Sequence, residues 1–278
     1  MRFLVVGDAM VDRYWIGSIH RLNPEKYSAP LLNYRKVVDR PGGSGNVAAN
    51  IEAMGAEAIL VSQESGTIIK NRLLDEHDGV VARFDQDLEC QPVPLGKIIE
   101  AANGCCAAIV SDYNKGAINQ AVADQVKLLD LPTFVDTKTR PDRWVEWAEC
   151  LFPNEREFLL HKSDYQKARQ VVMKCGARGA KVLQRGMQLD GMVAPQAKCV
   201  RNVAGAGDTT VAAFVASYMA LGLTKPPEYR TKFSLRLSME FAAAAVAEPL
   251  TAAPTFADVY GPCTWGEQVE WIAAELRK

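Results

Sequence analysis

The sequence lacks an excess of charge of either sign. Its 278 residues include 32 lysines and arginines against 33 aspartates and glutamates, which gives a formal net charge of −1 at pH 7. Proteins that bind duplex nucleic acid usually carry a basic excess, so we expect no nucleic-acid partner. A small anionic ligand needs only a few cations near its site, and this class of ligand remains open.

The sequence also lacks cysteines at regular spacings and long apolar runs. The seven cysteines form no CxxC pair and no Cys/His metal spacing, which indicates reduced thiols that pack as small apolar residues. The apolar run at residues 3–6 and the alanine-rich stretch at 241–247 are too short for a signal peptide or a membrane span. We therefore expect a cytoplasmic protein with no membrane partner.

The sequence does contain short apolar runs that alternate with amphipathic segments. The apolar runs predict buried strands at residues 3–6, 58–61, 107–111, 133–135, 150–152 and 180–183. The amphipathic segments predict helices at residues 45–54, 118–129, 165–174, 208–221, 233–247 and 265–276. This alternation is typical of an α/β fold with a mostly parallel sheet that is covered on both faces.

In a parallel sheet, ligands bind beyond the carboxyl ends of the strands. The polar residues that follow each predicted strand are therefore candidate site residues. They are Gly7, Asp8, Asp112, Asp136, Asn154 and Arg185.

Two extended segments with alternating polarity, 14–20 and 31–38, precede the first predicted helix and cannot belong to β-α-β units. Together with segments 67–72 and 80–84 they predict a small antiparallel β-flap. A flap over the carboxyl edge of a parallel sheet is typical of a lid that excludes water. We predict one domain over residues 1–278, with lid segments at 13–39 and 67–85, and a homodimer formed through the exposed face of the lid.

The strongest chemical signal is the segment 202–209, in which Gly205, Ala206, Gly207 and Asp208 lead into a predicted helix. Glycines let the backbone bend around an anion, and the free N–H groups of a helix N-terminus point at it. A carboxylate at this place would repel phosphate, but it suits a general base that accepts the proton of an acceptor hydroxyl. The alternative is an ordinary aspartate cap after a glycine turn.

A second glycine-rich segment spans residues 41–46 and enters the first predicted helix. A ligand could lie against the backbone of Gly42 and Gly43, while Asn46 both donates to and accepts from sugar hydroxyls. The alternative is a flexible turn in which Ser44 caps the helix.

Two pairs of polar residues have similar double interpretations. Asp8 and Asp12, which follow the first strand, either grip vicinal hydroxyls or belong to a polar loop. Asn154 and Glu157 lie three residues apart on one face of a short helix. They either bind Mg²⁺ through water or form a charged first turn.

Several basic residues lie near these segments, and each is either a phosphate contact or a solvated charge. Lys115 and Lys138 stand out because each lies just past a predicted strand end. The full set is Lys70, Arg72, Arg83, Lys115, Lys138 and Arg185.

Together these segments resemble the PfkB, or ribokinase-like, family of carbohydrate kinases, and the resemblance runs nearly end to end. Within the family the chain is most similar to the subgroup that phosphorylates heptose 7-phosphate. The resemblance rests on residues 7–17, 21–25, 41–48, 111–116, 136–138, 153–158 and 205–209, in the family's order.

The resemblance implies a ribokinase-like three-layer αβα sandwich with a mostly parallel sheet and a β-flap lid. It implies that Asp208 deprotonates the acceptor hydroxyl, and that the amides of Gly205, Ala206 and Gly207 neutralise charge on the transferring phosphoryl group. Residues 241–254 resemble the wall on the adenine side.

The resemblance and the positions after strand ends together predict ligand contacts on each side of the site. Lys70, Arg72 and Arg83 become candidates for holding a phosphate already on the substrate. The remaining substrate contacts are Asp8, Asp12, Gly42, Gly43, Asn46, Asp112 and Lys115. The contacts to ATP are Lys138, Asn154, Arg185, Gly205 and Gly207, and those to Mg²⁺ are Asn154 and Glu157.

The sequence departs from the family pattern in two places. Asn202 and Ala204 stand where the family usually has Asp and Thr, which predicts that a monovalent-cation site and one hydrogen bond beside the phosphates are lost. The stretch 62–67 is too short for the helix and strand that the family places there, so we expect the sheet to lack one edge unit.

These observations favour a kinase that makes heptose 1,7-bisphosphate from heptose 7-phosphate and Mg-ATP. Two alternatives stay open: a related kinase for another sugar or sugar phosphate, and a sugar- or nucleotide-binding protein with impaired catalysis. A Rossmann dehydrogenase is disfavoured, because Gly7, Asp8 and Ala9 stand after the first strand in place of GxGxxG.

Overall fold

The fold is described from a computed structural model, which covers residues 1–192, 197, 199–222 and 225–260. The predicted helix 265–276 lies outside the described residues. The strands are β1 (Arg2–Gly7), β2 (Ala9–Ser18), β3 (Leu22–Asn23), β4 (Lys26–Pro30), β5 (Asn33–Gly43), β6 (Glu57–Ser62), β7 (Ile68–Leu74), β8 (Val80–Asp87), β9 (Ala107–Asp112), β10 (Thr133–Thr137), β11 (Cys150–Leu151), β12 (Gln170–Lys174), β13 (Ala180–Gln184) and β14 (Met187–Met192).

The helices alternate with these strands, as the sequence pattern predicts. They are α1 (Ser44–Ala53), α2 (Leu95–Ala101), α3 (Gln120–Leu128), α4 (Glu155–Leu160), α5 (Lys162–Tyr165), α6 (Ala206–Ala220), α7 (Pro227–Ala247) and α8 (Phe256–Tyr260). Within the described ranges, none of the helices combines the length and the apolar character needed to cross a membrane.

The main sheet has eight strands in the order β14-β13-β12-β11-β10-β9-β1-β6. The six strands from β6 to β12 run parallel, and β13 runs antiparallel to them. The edge strand β14 pairs antiparallel with β13 and so runs in the direction of the six. Side chains alternate across the sheet, so Phe3 and Val5 of β1 face a core shared with α1, α6 and α7. Leu4 and Val6 face the other core, which α2, α3 and α4 cover. The sheet is therefore the middle layer of a three-layer sandwich.

One predicted helix is wrong. Residues 165–174 were expected to be helical, but the helix there, α5, ends at Tyr165, and residues 170–174 form strand β12. Val171, Val172 and Met173 are buried and neighbour β11 and β13. Periodicity alone cannot separate a short apolar strand from a buried helix. The correction puts Lys174 at the carboxyl end of a parallel strand.

The four predicted flap segments form one sheet in the order β5-β2-β7-β8, which we call the lid. The flap was predicted to be antiparallel, but β2 and β7 pair in parallel. The chain passes through β5, α1 and β6 between these strands, and such a long crossover permits parallel pairing. Residues 63–67 connect β6, the edge strand of the main sheet, directly to β7 of the lid.

Candidate active site

The carboxyl ends of the parallel strands and the N-terminus of α6 meet at one edge of the main sheet. Contacts between side chains from α1, the loop after β9 and α6 define this meeting point. The polar residues that the strand ends bring to this edge are Asp8, Asp112, Asp136, Asn154 and Lys174.

Asp208 lies in the first turn of α6 and is only 4% exposed. Its Oδ2 accepts a hydrogen bond from Asn46 Nδ2 at 2.9 Å, and its Oδ1 accepts one from the Tyr113 hydroxyl at 2.7 Å. Burial raises the pKa of the Asp208 carboxyl, although the hydrogen bonds from Asn46 and Tyr113 oppose the shift. A carboxylate whose pKa is raised and which binds a hydroxyl has the properties of a general base.

The turn before Asp208 leaves several backbone amides free. Gly205 caps α6 with φ of 84°, a conformation that favours glycine. Within the described chain, the amides of Gly205, Gly207 and Asp208 donate to no protein acceptor, as is usual for a helix start. The amide of Ala206 differs, because it donates to the Val203 carbonyl at 3.4 Å. The predicted anion hole consists of the amides of Gly205, Ala206 and Gly207. The amides that are free in the structure are those of Gly205, Gly207 and Asp208.

Tyr113, in the loop after β9, contacts the Asp208 carboxylate. Its ring lies under two ammonium groups, with Lys70 Nζ 4.5 Å and Lys138 Nζ 5.4 Å from the ring centroid. Burial and the charge of Asp208 raise the pKa of the Tyr113 hydroxyl, so it remains a hydrogen-bond donor. The hydroxyl therefore occupies a position on Asp208 that an acceptor hydroxyl would need.

A second group of charges lies beside the helix tip. Asp136 Oδ1 accepts from Lys138 Nζ at 3.0 Å, and Asp136 Oδ2 accepts from Lys174 Nζ at 2.6 Å. Lys138 also pairs with Glu157 at 3.1 Å. Although burial disfavours its charged form, the carboxylates of Asp136 and Glu157 raise the pKa of Lys138. Lys138 is thus a permanent cation at the edge where ATP contacts were predicted.

Asn154 and Glu157, the predicted Mg²⁺ pair, bind each other. Asn154 Oδ1 accepts from the Glu157 amide at 2.8 Å, and Glu157 Oε2 accepts from the Asn154 amide at 2.8 Å, which makes a capping box for α4. Among the described residues, no group of three or more His, Cys, Asp or Glu could hold a metal. Mg²⁺ keeps several waters and needs only one or two carboxylates besides substrate phosphates. The chemistry of Glu157 fits a water-mediated contact, and this contact stays a prediction.

Two predicted substrate contacts instead shape loops. Asp8 is 0% exposed, and its carboxylate accepts hydrogen bonds from the amides of Tyr113 (2.7 Å), Lys115 (3.3 Å) and Ala117 (3.0 Å). Burial raises the pKa of Asp8, and these amides oppose the shift. Asp112 is also buried and accepts from side chains and a backbone amide of neighbouring loops. Both carboxylates therefore hold the loop that carries Tyr113.

Asp12 belongs to a buried network under the lid. Its Oδ1 accepts from Arg72 Nη1 at 2.6 Å, and its Oδ2 accepts from Thr251 Oγ1 at 3.2 Å. Thr251 Oγ1 lies 2.6 Å from the Tyr14 hydroxyl, which also accepts from Asn202 Nδ2 at 3.1 Å. An aspartate at position 202 could not donate this last hydrogen bond. The network thus gives the departure at Asn202 a structural role.

The inner face of the lid carries the three predicted phosphate-binding cations. Strand register pairs Asp12 with Lys70 and Arg72 with Arg83, so their side chains share the face towards Asp208. Burial lowers the pKa of Lys70, and the charges of Asp12 and Asp208 oppose the shift.

Two of the predicted substrate-binding cations already have carboxylate partners on β8. Arg83 pairs with Asp85 at 2.6 Å and is half exposed. Lys115, from the loop after β9, pairs with Asp87 and so ties that loop to the lid.

One predicted ATP contact lies at the wrong edge. Arg185 follows β13, which runs antiparallel to β12, so the end of β13 is at the amino edge of the parallel strands. Arg185 lines a cavity there of about 530 Å³, together with Gln170 and Arg230. The prediction assumed that every strand was parallel, and it is wrong for this residue.

The second glycine segment packs too tightly against neighbouring residues to leave room for side chains at Gly42 and Gly43. Gly43 has φ of 57°, and a Cβ there would meet the Asp8 carbonyl oxygen at 2.3 Å. A Cβ at Gly42 would meet Asp12 Oδ2 at 3.0 Å.

A cavity of about 390 Å³ opens beside Asn46 and is lined by residues 248–253, part of the predicted adenine-side wall. Phe241, at the start of that prediction, is instead buried in the core.

Sequence reasoning missed two residues that the structure brings to the site. Tyr113 lies in a segment that supported the resemblance, but no role was given to its side chain. Lys174 directly follows the apolar run 171–173 and would have been a candidate if that run had been assigned as a strand.

Comparisons with known proteins identify the family of the chain. Residues 78–257 match the family described as pfkB family carbohydrate kinase. The chain is 28% identical over 264 residues to bifunctional protein HldE of Ectopseudomonas mendocina, and 30% identical over 267 residues to that of Pseudomonas entomophila. Each alignment covers 78% of this chain and 55% of the relative. The chain thus spans about half the length of the curated relatives it matches.

Solved structures share the fold. Arabidopsis thaliana ribokinase complexed with ribose and ATP matches with a TM-score of 0.62 at 16% identity, over 97% of this chain and 98% of that chain. Phosphofructokinase-2 from Escherichia coli in complex with substrates and products matches with a TM-score of 0.67 at 16% identity, over 100% and 99%. At such identities the likeness concerns the fold alone, and the predicted ribokinase-like sandwich is confirmed.

Proposed function

The chain belongs to the pfkB family of carbohydrate kinases, and from this premise we propose that it transfers the γ-phosphoryl group of ATP to the anomeric hydroxyl of a heptose 7-phosphate. The product is the 1,7-bisphosphate. The observation that carries the proposal is the meeting of the buried Asp208 carboxylate, which already binds a hydroxyl, with free amides at the same helix tip.

In the proposed reaction Asp208 accepts the proton of the sugar hydroxyl as its oxygen attacks the γ-phosphorus. The bond from phosphorus to the bridging oxygen of ADP breaks, and ADP leaves with that electron pair. The amides of Gly205, Gly207 and Asp208 stabilise the charge on the phosphoryl oxygens. Glu157 would hold Mg²⁺ through water, and the ion would neutralise part of the charge on the ATP phosphates.

The proposal of a phosphorylated substrate rests on the lid. Lys70, Arg72 and Arg83 lie on the inner face, and Arg83 is bidentate to Asp85, the geometry that guanidinium also uses towards phosphate. The choice of a heptose as the sugar rests on the resemblance and on the relatives named HldE. A kinase for a sugar without phosphate would not need these cations.

A substrate screen with one matched pair of variants tests this choice. Arg83→Gln is expected to raise KM for heptose 7-phosphate about tenfold, because one charge-assisted contact is lost, and to leave KM for unphosphorylated sugars unchanged. Arg13→Gln is the control, because Arg13 forms a similar exposed pair with Asp39 on the outer face of the lid. Faster turnover of free sugars than of sugar phosphates would exclude the heptose phosphate and leave the other carbohydrate kinases.

Tyr113 provides a second test, because its hydroxyl competes with the substrate hydroxyl for Asp208 Oδ1. Tyr113→Phe removes this competitor and is expected to lower the KM of the sugar about tenfold, the effect of one hydrogen bond to a charged group. ATP hydrolysis without sugar should rise as water reaches the base. Steady-state kinetics measure both, with Tyr34→Phe on the exposed part of the lid as control. A higher KM would mean that the Tyr113 hydroxyl binds the sugar.

The homodimer through the lid stays a prediction. Exposed apolar residues of the lid include Tyr34, Val37, Val80 and Phe84. A molar mass of one chain in solution, measured by light scattering, would contradict it.

A further inference from the structure

Lys174 is a buried cation that the proposed reaction has not yet used. It ends strand β12, and its side chain is only 12% exposed. Its Nζ donates to Asp136 Oδ2 at 2.6 Å. An ammonium group has three donors, and Asp136 is the one hydrogen-bond acceptor that Lys174 Nζ has in the described parts of the chain. The other two N–H groups of Lys174 Nζ thus have no protein acceptor among the described residues.

This arrangement differs from that of Lys138, which has two carboxylate partners, Asp136 and Glu157. Burial lowers the pKa of Lys174, although Asp136 opposes the shift, whereas the pKa of Lys138 is raised. Among the described residues, Lys174 therefore lacks the second carboxylate charge that Lys138 has. A bound anion would supply that charge and accept the two remaining N–H groups.

Lys174 also lies at the helix tip. A Cβ at Gly207 would lie 3.6 Å from Lys174 Nζ, so the ammonium group is next to the backbone of the predicted anion hole. The amides of Gly207 and Asp208 have no acceptor among the described residues. Two kinds of donor, one charged and one belonging to the backbone, therefore lie close together at the start of α6, which carries Asp208.

We propose that Lys174 is a catalytic residue whose ammonium group binds the phosphoryl group during transfer, together with the amides of Gly207 and Asp208. The inference rests on the proposed function and deepens it. While the new oxygen–phosphorus bond forms and the bond to the ADP oxygen breaks, negative charge is spread over the equatorial oxygens of the phosphoryl group. Lys174 neutralises this charge and takes no proton from the acceptor, since that proton goes to Asp208.

A purely structural role for Lys174 makes a different prediction. If Lys174 were only the counter-ion of Asp136, Lys138 would still pair with Asp136 in its absence. Removal of both charges, in Asp136→Asn with Lys174→Met, would then restore any lost activity. If Lys174 contacts the phosphoryl group, the double variant regains stability and remains slow.

The experiment compares Lys174→Met, Lys174→Arg and the double variant with the wild-type chain. Lys174→Met is expected to lower kcat about 100-fold, the effect of losing one donor to a transition-state oxyanion, with a smaller change in KM for the sugar. Lys174→Arg should recover part of the loss. A wild-type kcat in Lys174→Met, or full recovery in the double variant, would overturn the inference.

A binding measurement without sugar separates this inference from the proposed function. Calorimetric titration of ATP and ADP should give the wild-type chain a preference for ATP, and Lys174→Met should weaken that preference about tenfold, as one charged hydrogen bond is lost. If the wild-type chain phosphorylates no sugar but the preference depends on Lys174, the proposed function fails and the phosphate contact stands. If the preference does not depend on Lys174, the contact is wrong whatever the chain phosphorylates.

Discussion

Replacement of Asp208 by asparagine is expected to lower kcat about 1000-fold, within the usual range for a lost general base. Asparagine keeps the shape of the side chain and can still accept from Asn46 Nδ2 and contact the Tyr113 hydroxyl, the two present partners. The variant should therefore fold normally and bind ATP. Steady-state assays on the preferred sugar phosphate measure the loss.

The stability of the same variant should not fall, and this separates a lost base from a lost fold. Burial raises the pKa of Asp208 in the folded protein. Above that pKa the folded state holds a charge that the unfolded state solvates better, so the ionised carboxylate lowers stability near neutral pH. A neutral asparagine removes this cost. A lower Tm for Asp208→Asn would show that the carboxylate is structural, and Asp39→Asn on the outer lid provides the control for kcat.

The pH dependence of kcat/KM follows from the raised pKa of Asp208. Only the ionised carboxylate can accept a proton, so kcat/KM should rise with pH through the pKa of Asp208. Because that pKa is raised, the acid limb should lie above the range of an ordinary aspartate. A limb at the ordinary carboxylate range would argue against a buried base.

Loss of Arg72 is expected to cost about 3–5 kcal/mol of unfolding free energy, the usual effect of leaving one charge of a buried pair alone. The side chains of Arg72 and Asp12 are 9% and 7% exposed and lie 2.6 Å apart. Urea denaturation of Arg72→Met should lower the midpoint with an unchanged slope. The double variant with Asp12→Asn should recover part of the loss, because the unpaired carboxylate is removed.

Arg83→Met is the control for this stability prediction. Arg83 pairs with Asp85 on the same face of the lid, but the pair is exposed, so its loss should cost less than about 1 kcal/mol. If Arg72→Met has a wild-type midpoint and only a higher KM, Arg72 serves the substrate and the buried pair contributes little to the fold.

Side-chain partners explain why part of the predicted site changes its role. Asp8 and Asp112 lie at strand ends, as predicted, and their carboxylates accept hydrogen bonds from nearby segments of the chain. Asn154 and Glu157 likewise form a capping box. A carboxylate at a strand end reaches either a ligand or its own loop. The choice depends on where the loop's N–H groups lie in space.

The sequence by itself determined the features that depend on short stretches of chain. The alternation of apolar runs and helices predicts the sandwich, and the glycine turn before Asp208 predicts a helix start with a carboxylate and free amides, because both are local conformations. The tertiary structure alone decided which side chains meet. Strand β13 is antiparallel to β12, so Arg185 lies away from the site. The Tyr113 hydroxyl binds Asp208, and Lys174 lies beside Gly207. These contacts join residues far apart in the chain, and strand direction and sheet order fix them.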